Sequence, residues 1–313
     1  MAGYLVTGGA GFIGSNIAEE LVRCNEEVVV LDDLSTGNEM NLEGIRSRIT
    51  FIHGDITDVG TVRKALEGID YVLHQAALAS VPRSIEIPVK VNEINVGGTL
   101  IMLEESRRAG VKCFVYAGSS SAYGDTEVLP KVESMLPQPL SPYAVSKLTG
   151  EYYCSVYANV YNLPTISLRY FNVFGPRQDP NSQYAAVIPI FISHMLRGER
   201  PTIFGDGEQS RDFTYVSNVV DANLRAAHCT NASGQLLNVA CGERYSLNVL
   251  FDRLQKVIGS DVTPIYTDPR PGDVRHSQAD IASAAELLGY RTTVPFEEGL
   301  AQTVAWYRSI GVK

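Results

Sequence analysis

Short apolar runs alternate with longer stretches of helical period along the first half of the chain. Residues 4–7 (Tyr-Leu-Val-Thr) read as a short buried strand, followed by a glycine turn and a helix over 12–24. Further apolar runs cover 27–31, closed by Asp32-Asp33, and 50–53, closed by Gly54-Asp55; others cover 71–74, 113–117 and 165–170. Helical patterns at 58–67, 88–109 and 143–161 lie between them. Strands alternating with helices predict βαβ units and a parallel sheet with helices on both faces. In such sheets ligands bind beyond the carboxyl ends of the strands. The conspicuous residues gather there: Gly8 to Gly14, Asp32, Asp55, Ala76-Ala77, Ser119 to Ser121 and Asn172.

Past about residue 174 the alternation stops and Pro and Gly become frequent, as in Gly175-Pro176, Gly205-Asp-Gly207 and Pro269-Arg-Pro-Gly272. The pattern predicts a regular α/β domain over 1–174 and a smaller second lobe over 175–313. The apolar run 236–240 can add a strand to the main sheet, so about 213–241 is expected to return to it.

Composition narrows the partners. The 313 residues allow about two domains, and 45% hydrophobic with 19% charged residues suits a globular protein with a sizeable core. Net charge is −9 and no block of five Lys or Arg occurs, which argues against nucleic acid. A few converging arginines could still hold a small anion. The five cysteines (24, 113, 154, 229, 241) are scattered, odd in number and lack any Cys-x-x-Cys. That suits a reducing cytoplasm and no zinc site or other metal centre. His53 and His74 sit at strand ends, outside any ligand spacing, and are expected to pack or hydrogen-bond locally. The N-terminus runs straight into a strand without a signal-peptide pattern, and no apolar run is long enough to span a bilayer, so no membrane partner is expected.

Candidate chemistry begins at Thr7-Gly8-Gly9-Ala10-Gly11-Phe12-Ile13-Gly14. Of the glycines at 8, 11 and 14, the first permits the tight turn, the second a close approach to a pyrophosphate, and the third helix-on-strand packing. The N–H groups at the helix start then face the phosphates. A glycine-rich turn also occurs without a ligand; here the strand before it, the helix after it and an acid at position 32 complete a dinucleotide fingerprint. Asp32 can hydrogen-bond a ribose diol and would repel a 2′-phosphate, so NAD is favoured over NADP. Asp33 reads better as a loop or capping acid. Together these features predict an α/β fold, a doubly wound parallel sheet of Rossmann type with a smaller C-terminal α/β substrate lobe.

Tyr143 and Lys147 are four apart in a helical stretch and so share one face. A phenol titrates near pH ~10, and an ammonium beside it favours the phenolate. The same spacing describes an ordinary exposed helix face, and only the dinucleotide turn gives it weight. Ser119-Ser120-Ser121 supply hydroxyls but no group of useful acid/base pKa.

These motifs resemble the extended short-chain dehydrogenase/reductase family. The resemblance rests on Gly8-Gly9-Ala-Gly11-Phe-Ile-Gly14, Gly54-Asp55-Ile56, His74-Gln-Ala-Ala77, Asn95-Val-Gly-Gly98, Ser119-Ser-Ser, Tyr143-x-x-x-Lys147 and Asn172-Val-Phe-Gly-Pro176, in the family's order. Ala77-Leu-Ala-Ser80-Val-Pro-Arg83, Ala185-Ala-Val-Ile-Pro189, Gly205-Asp-Gly207 with Arg211-Asp-Phe213, and Arg270-Pro-Gly-Asp273-Val-Arg275 resemble its nucleotide-sugar 4-epimerases, especially those acting on UDP-N-acetylglucosamine.

By that resemblance Tyr143 is the acid/base on the sugar 4-hydroxyl, Lys147 holds the nicotinamide ribose and lowers the Tyr143 pKa, and Ser119 hydrogen-bonds the same hydroxyl beside Ser120 and Ser121. The resemblance extends the NAD contacts from Gly8, Gly11, Phe12, Ile13 and Gly14 to Asp32, Asp33, Ser35, Thr36, Gly37 and Asn38. Asp55 and Ile56 would meet the adenine, with Gln75, Ala76, Ala77 and Asn95 along the cofactor and Tyr170 near the nicotinamide. Asn172, Ala186, Val187, Arg211, Arg270 and Asp273 would hold the UDP, and Ser80 the sugar. Ser277 matches a position where narrow UDP-galactose epimerases carry a large residue, leaving room here for an N-acetyl group. Helices 88–109 and 143–161 correspond to those that pair across a dimer axis, implying a homodimer.

The implied reaction is reversible oxidation of a UDP-sugar at C4, through a transient 4-keto sugar, with tightly bound NAD+. Family dehydratases carry an Asp-Glu pair where this chain has Ser120-Ser121, which disfavours elimination. The competing readings are a UDP-glucuronate 4-epimerase or decarboxylase, an NADPH reductase, which Asp32 opposes, and a non-catalytic NAD-binding scaffold or sensor, in which Tyr143 or Lys147 would be dispensable.

Overall fold

The structure is a computed structural model that describes residues 1–179, 186–269 and 274–311. Its centre is a seven-stranded sheet: β1 (Gly3–Thr7), β2 (Glu27–Asp32), β3 (Ile49–His53), β4 (Tyr71–His74), β5 (Cys113–Ser119), β6 (Thr165–Tyr170) and β7 (Gln235–Val239), in the spatial order β7-β6-β5-β4-β1-β2-β3. Each neighbouring pair is parallel. Strand order reverses between β1 and β4, which opens a crevice at their carboxyl ends. Both faces are covered, so consecutive residues are buried on opposite sides. Val6 packs with Ile17, Leu21 and Val219 of the helices Phe12–Arg23 and Val216–His228, while Leu5 packs with Met102, Leu103 and Tyr157. That is why these strands read as apolar runs without alternation.

Two helical expectations need correction. The helix expected at 58–67 is shorter, Val59–Ala65, because the Asp58 carboxylate accepts the Thr61 N–H at 2.9 Å as an N-cap and the chain turns at Leu66. The helix expected at 88–109 is three pieces: Pro88–Asn92, a widened π turn Glu93–Gly98, and Thr99–Ala109. The widened turn lets Gly98 pass against Ile56, where a Cβ would sit 2.6 Å from the isoleucine Cδ1. It also aims Asn95 inward.

The C-terminal half carries a separate apolar core built from Phe174, Phe191, Phe213, Tyr215, Phe251, Phe296 and Leu300. Three two-stranded ladders tie it down: Val173–Phe174 with Thr214–Tyr215, Ser210–Arg211 with Tyr245–Ser246, and Thr202–Phe204 with Ile265–Thr267. Among the described residues no helix is long and apolar enough to cross a membrane, and no three His, Cys, Asp or Glu side chains group to hold a metal ion.

Candidate active site

The crevice is a cavity of about 1110 Å³ at the carboxyl ends of β1, β2, β4, β5 and β6. Its floor is the glycine turn. Gly8 has φ +65°, and a Cβ there would lie 2.8 Å from the Ala76 backbone; a Cβ on Gly14 would lie 2.2 Å from the Gly8 carbonyl oxygen. No side chain caps the helix that starts at Phe12, so its first N–H groups face the cavity. Asp32 closes the next wall. Its two carboxylate oxygens accept the N–H groups of Ala10 and Leu34, each at 2.9 Å. Burial raises its pKa, and these bonds oppose the rise. Asp33 accepts both the N–H and the hydroxyl of Ser35, at 2.9 and 2.7 Å, as a turn-forming acid. Ser35, Thr36, Gly37 and Asn38 continue the rim, and Asp55 with Ile56 forms the far end. This glycine cradle, an uncapped helix start and a buried acid fit a dinucleotide.

At the opposite end stand Tyr143 and Lys147. Ser141 caps their helix by accepting the Ala144 N–H at 3.1 Å, and Pro142 opens the first turn, which places both side chains over the end of β5. Tyr143 is hydrogen-bonded to Ser119, and this bond lowers its pKa, but burial is the larger cause and leaves the phenol above its ordinary range. Lys147, one turn on, is held by β5. Its ammonium donates to the Ala117 carbonyl at 2.8 Å and sits 5.0 Å from the Tyr116 ring centre. Burial pulls it down to about 8, against the pull of Glu151 one turn on. Glu151 is itself held by Arg169 through bonds of 2.9 and 2.6 Å, with both side chains almost fully buried.

Ser119 and Ser121 share a bond of 2.8 Å between their hydroxyls, and the Ser121 N–H donates to Ser119 at 3.2 Å. Tyr170 lies on the cavity wall, with its hydroxyl bonded to Gln75 and Asn223 at 3.2 and 3.1 Å and pushed up to about 12 by burial. Ala76, Ala77 and Ala186 also line the cavity.

Asn95 is not at the cavity. It is wholly buried, bonds the Leu78 N–H at 2.8 Å and the Ser146 hydroxyl at 3.0 Å, and so fixes the 76–79 wall to the Tyr143 helix from behind. Ser80 caps the short helix Val81–Glu86 by accepting the Arg83 N–H at 3.2 Å. The structure does not place Ser80, Ser119, Ser120, Ser121, Asn172, Val187, Arg211 or Ser277 on the cavity lining. Asn172 is strained at φ +34° and donates to the Asp212 carbonyl at 3.3 Å. Arg211 donates to the carbonyls of Ser210 and Arg275 at 3.0 and 3.4 Å, and the Ser277 N–H reaches Ser210 at 3.0 Å. Arg270 and Asp273 lie outside the described residues.

Sequence reasoning missed two residues. Asp212 is buried and accepts three backbone N–H groups, from Cys241 at 2.9 Å and from Gly242 and Ala279 at 3.1 Å, which binds the Arg211, β7 and Ser277 segments together. Burial pushes it up to about 7 against those donors. Its place inside Arg211-Asp-Phe213 was the available signal. Arg177 lines the cavity beside the glycine turn, and no sequence pattern marked it.

The family profile described as the NAD dependent epimerase/dehydratase family matches residues 4–240. A UDP-glucose 4-epimerase of Mycolicibacterium smegmatis is 38% identical over 97% of this chain and 98% of its own. Two solved structures superpose over nearly the whole chain. One is a Thermotoga maritima UDP-glucose 4-epimerase with UDP-glucose (40% identity, 98% of this chain and 99% of that one, TM-score 0.94). The other is a Methanobrevibacter ruminantium UDP-N-acetylglucosamine 4-epimerase with UDP-N-acetylmuramic acid (41%, 99% of each, TM-score 0.95). A Bacillus cereus UDP-glucuronic acid 4-epimerase, solved with UDP-glucuronic acid and NAD, is 33% identical over 98% of this chain and 99% of that one, with TM-score 0.91. The cofactor of this chain is thus NAD, and the chain belongs to the NAD-dependent epimerase/dehydratase family, on its nucleotide-sugar 4-epimerase branch.

Proposed function

We propose that this enzyme interconverts C4-epimeric UDP-hexoses, either UDP-N-acetylglucosamine and UDP-N-acetylgalactosamine or UDP-glucose and UDP-galactose, or both. The observation that carries the proposal is Tyr143, hydrogen-bonded to Ser119 and lining one end of the cavity that the glycine turn and Asp32 close at the other. An unactivated C–H is broken only if its hydrogen leaves with both electrons, and NAD+ supplies the acceptor for that step. Tyr143 takes the proton of the 4-hydroxyl, and Ser119 holds the same oxygen through its hydroxyl. The phenolate form of Tyr143, which accepts that proton, is favoured once cationic charge lies beside it, as Lys147 and the oxidised nicotinamide would provide in the loaded enzyme. Inversion would be completed when the 4-keto sugar presents its other face, the hydride returns to C4 from the reduced cofactor, and Tyr143 gives its proton back to the 4-oxygen. Ser120 and Ser121 offer no acid/base pair for elimination, which supports epimerisation over dehydration. Asn172, Arg211, Arg270 and Asp273 are assigned to the UDP, and Ser277 to the C2 substituent.

A homodimer is part of the proposal. On the helix Pro142–Tyr161 the apolar side chains of Val145, Tyr152, Val156 and Val160 form an exposed stripe at helical spacing, and Ile85 and Val89 are exposed nearby in sequence to the helix packed against it. A second copy of the chain would cover this face. Sedimentation at working concentration should give twice the chain mass.

The test of the activity is incubation of the purified protein with UDP-N-acetylglucosamine, UDP-glucose and UDP-glucuronate, without added cofactor, with the products resolved. A C4 epimer of either neutral sugar supports the proposal. Turnover of UDP-glucuronate alone would replace it with the glucuronate reading, and absence of any product would leave an NAD-binding protein without this activity.

A further inference from the structure

The described residues lining the cavity carry five acids, Asp32, Asp33, Glu43, Asp55 and Asp179, against two cations, Lys147 and Arg177. A dinucleotide brings two further negative charges on its diphosphate. Lys147 is committed at the other end, on the Ala117 carbonyl. The glycine turn offers neutral N–H groups and a helix dipole, which lowers the energy of an anion without compensating its full charge.

Arg177 stands on the glycine-turn side. The Asn16 side chain donates to the Pro176 carbonyl at 3.2 Å, and Arg177 Nη2 meets the Glu19 carboxylate at 2.6 Å, so the first half of the helix that begins at Phe12 holds the segment from below. From the other side the Tyr307 hydroxyl donates to the Gln178 carbonyl, and Gln178 Nε2 donates to the Val173 carbonyl at 3.2 Å. Arg177 keeps this place with φ +71°, a region costly for a residue with a Cβ. Its Nη1 is buried and has no hydrogen-bond partner among the described residues. A guanidinium with one nitrogen paired and the other buried without a partner is an incomplete arrangement, because an unpaired buried donor is unfavourable. A charge-assisted hydrogen bond from Nη1 to a phosphate oxygen is the chemistry that completes it.

We propose that Arg177 is the side-chain counter-charge of the NAD diphosphate, with Nη1 as the donor and Glu19 as the residue that orients it. This inference rests on the cofactor site and is independent of which sugar reacts. Arg177 would slow loss of the cofactor, as an enzyme that reuses one NAD+ in every turnover requires.

The test is titration of the full chain, freed of cofactor, with NAD+, ADP and adenosine. Arg177→Met should weaken NAD+ and ADP by roughly ten- to a hundredfold, the scale of a lost charge-assisted bond, and leave adenosine unchanged. Arg177→Lys, which keeps charge but not the fork, should fall between. Raised salt should narrow the gap between wild type and Arg177→Met for the two diphosphates only. Equal affinity of Arg177→Met and wild type for NAD+ and ADP would overturn the proposal, as would equal losses for all three ligands, which mark a structural role. Neither of those outcomes bears on epimerase activity, which the product assay decides separately.

Discussion

The two ends of this molecule hold their ligands by different means. At the cofactor end the chain uses its own backbone: the glycine turn, the start of the Phe12 helix, and an Asp32 already fixed by two N–H groups. The deepest charges of the same domain, Glu151 and Arg169 behind Lys147, are almost fully buried and paired to each other. On the substrate side the charges are paired too, but at the surface: Arg275 meets Asp206 at 2.8 Å with about half of each side chain exposed. Arg211 Nη1 donates to two backbone carbonyls. The first arrangement, apart from the unpartnered Arg177 Nη1, is formed without a ligand. On the proposed assignment of Arg211 to the UDP, the second would trade protein partners for ligand oxygens.

The comparison can be broken at several points. Tyr143→Phe removes the proton carrier and should lower turnover about a thousandfold, within the usual range for general acid/base catalysis, while bound NAD per chain stays unchanged. A variant that lost NAD along with activity would mean the phenol is structural. Glu151→Leu leaves Arg169 buried without its partner and should reduce unfolding free energy by about 3–5 kcal/mol in urea titrations. A loss below about 1 kcal/mol would show that the pair is solvated.

Asp212→Asn probes the seam between the two regions. It replaces an acceptor of three backbone N–H groups and should cost about 1–3 kcal/mol. It should raise KM for the UDP-sugar more than it lowers kcat, since the segments it joins carry Arg211 and Ser277. The wild-type carboxyl, pushed up to about 7 from an ordinary value near 3.8, binds its proton more tightly folded than unfolded. Its contribution is therefore present below pH ~4 and is lost as pH rises through about 7. That slope should vanish in Asp212→Asn. Ser277→Tyr should depress activity on UDP-N-acetylglucosamine by roughly tenfold while sparing UDP-glucose; equal losses on both sugars would remove Ser277 from the specificity argument. Smallest of all, Asp206→Ala opens a half-exposed ion pair and should leave the urea midpoint essentially unchanged, in contrast to Glu151→Leu.

What the sequence shows follows the same division. Leu5 and Val6 lie in adjacent positions and are both buried, so β1 and its neighbours stand out as apolar runs, and the turn of Gly8, Gly11 and Gly14 is readable because close backbone approach restricts the residue type. Asn95 looked like a cofactor residue because it lies in a glycine-containing motif; only the widened turn at Glu93–Gly98 shows that it braces the wall from behind. Spacing placed Lys147 near Tyr143, but the carbonyl of Ala117, which claims the ammonium, comes from a strand thirty residues earlier. Arg177 and Asp212 owe their positions to contacts with Glu19 and with Cys241 and Ala279, far along the chain, which no local pattern encodes.

The central claim is that the hydrogen removed from C4 is held on the enzyme and returned to the same carbon. It is tested most directly with UDP-glucose or UDP-N-acetylglucosamine carrying deuterium at C4, incubated in ordinary water with the protein as purified and no added NAD. The account predicts the C4 epimer with its deuterium retained at C4. Epimer formed with the label lost to water, or no epimer from either sugar, would contradict it.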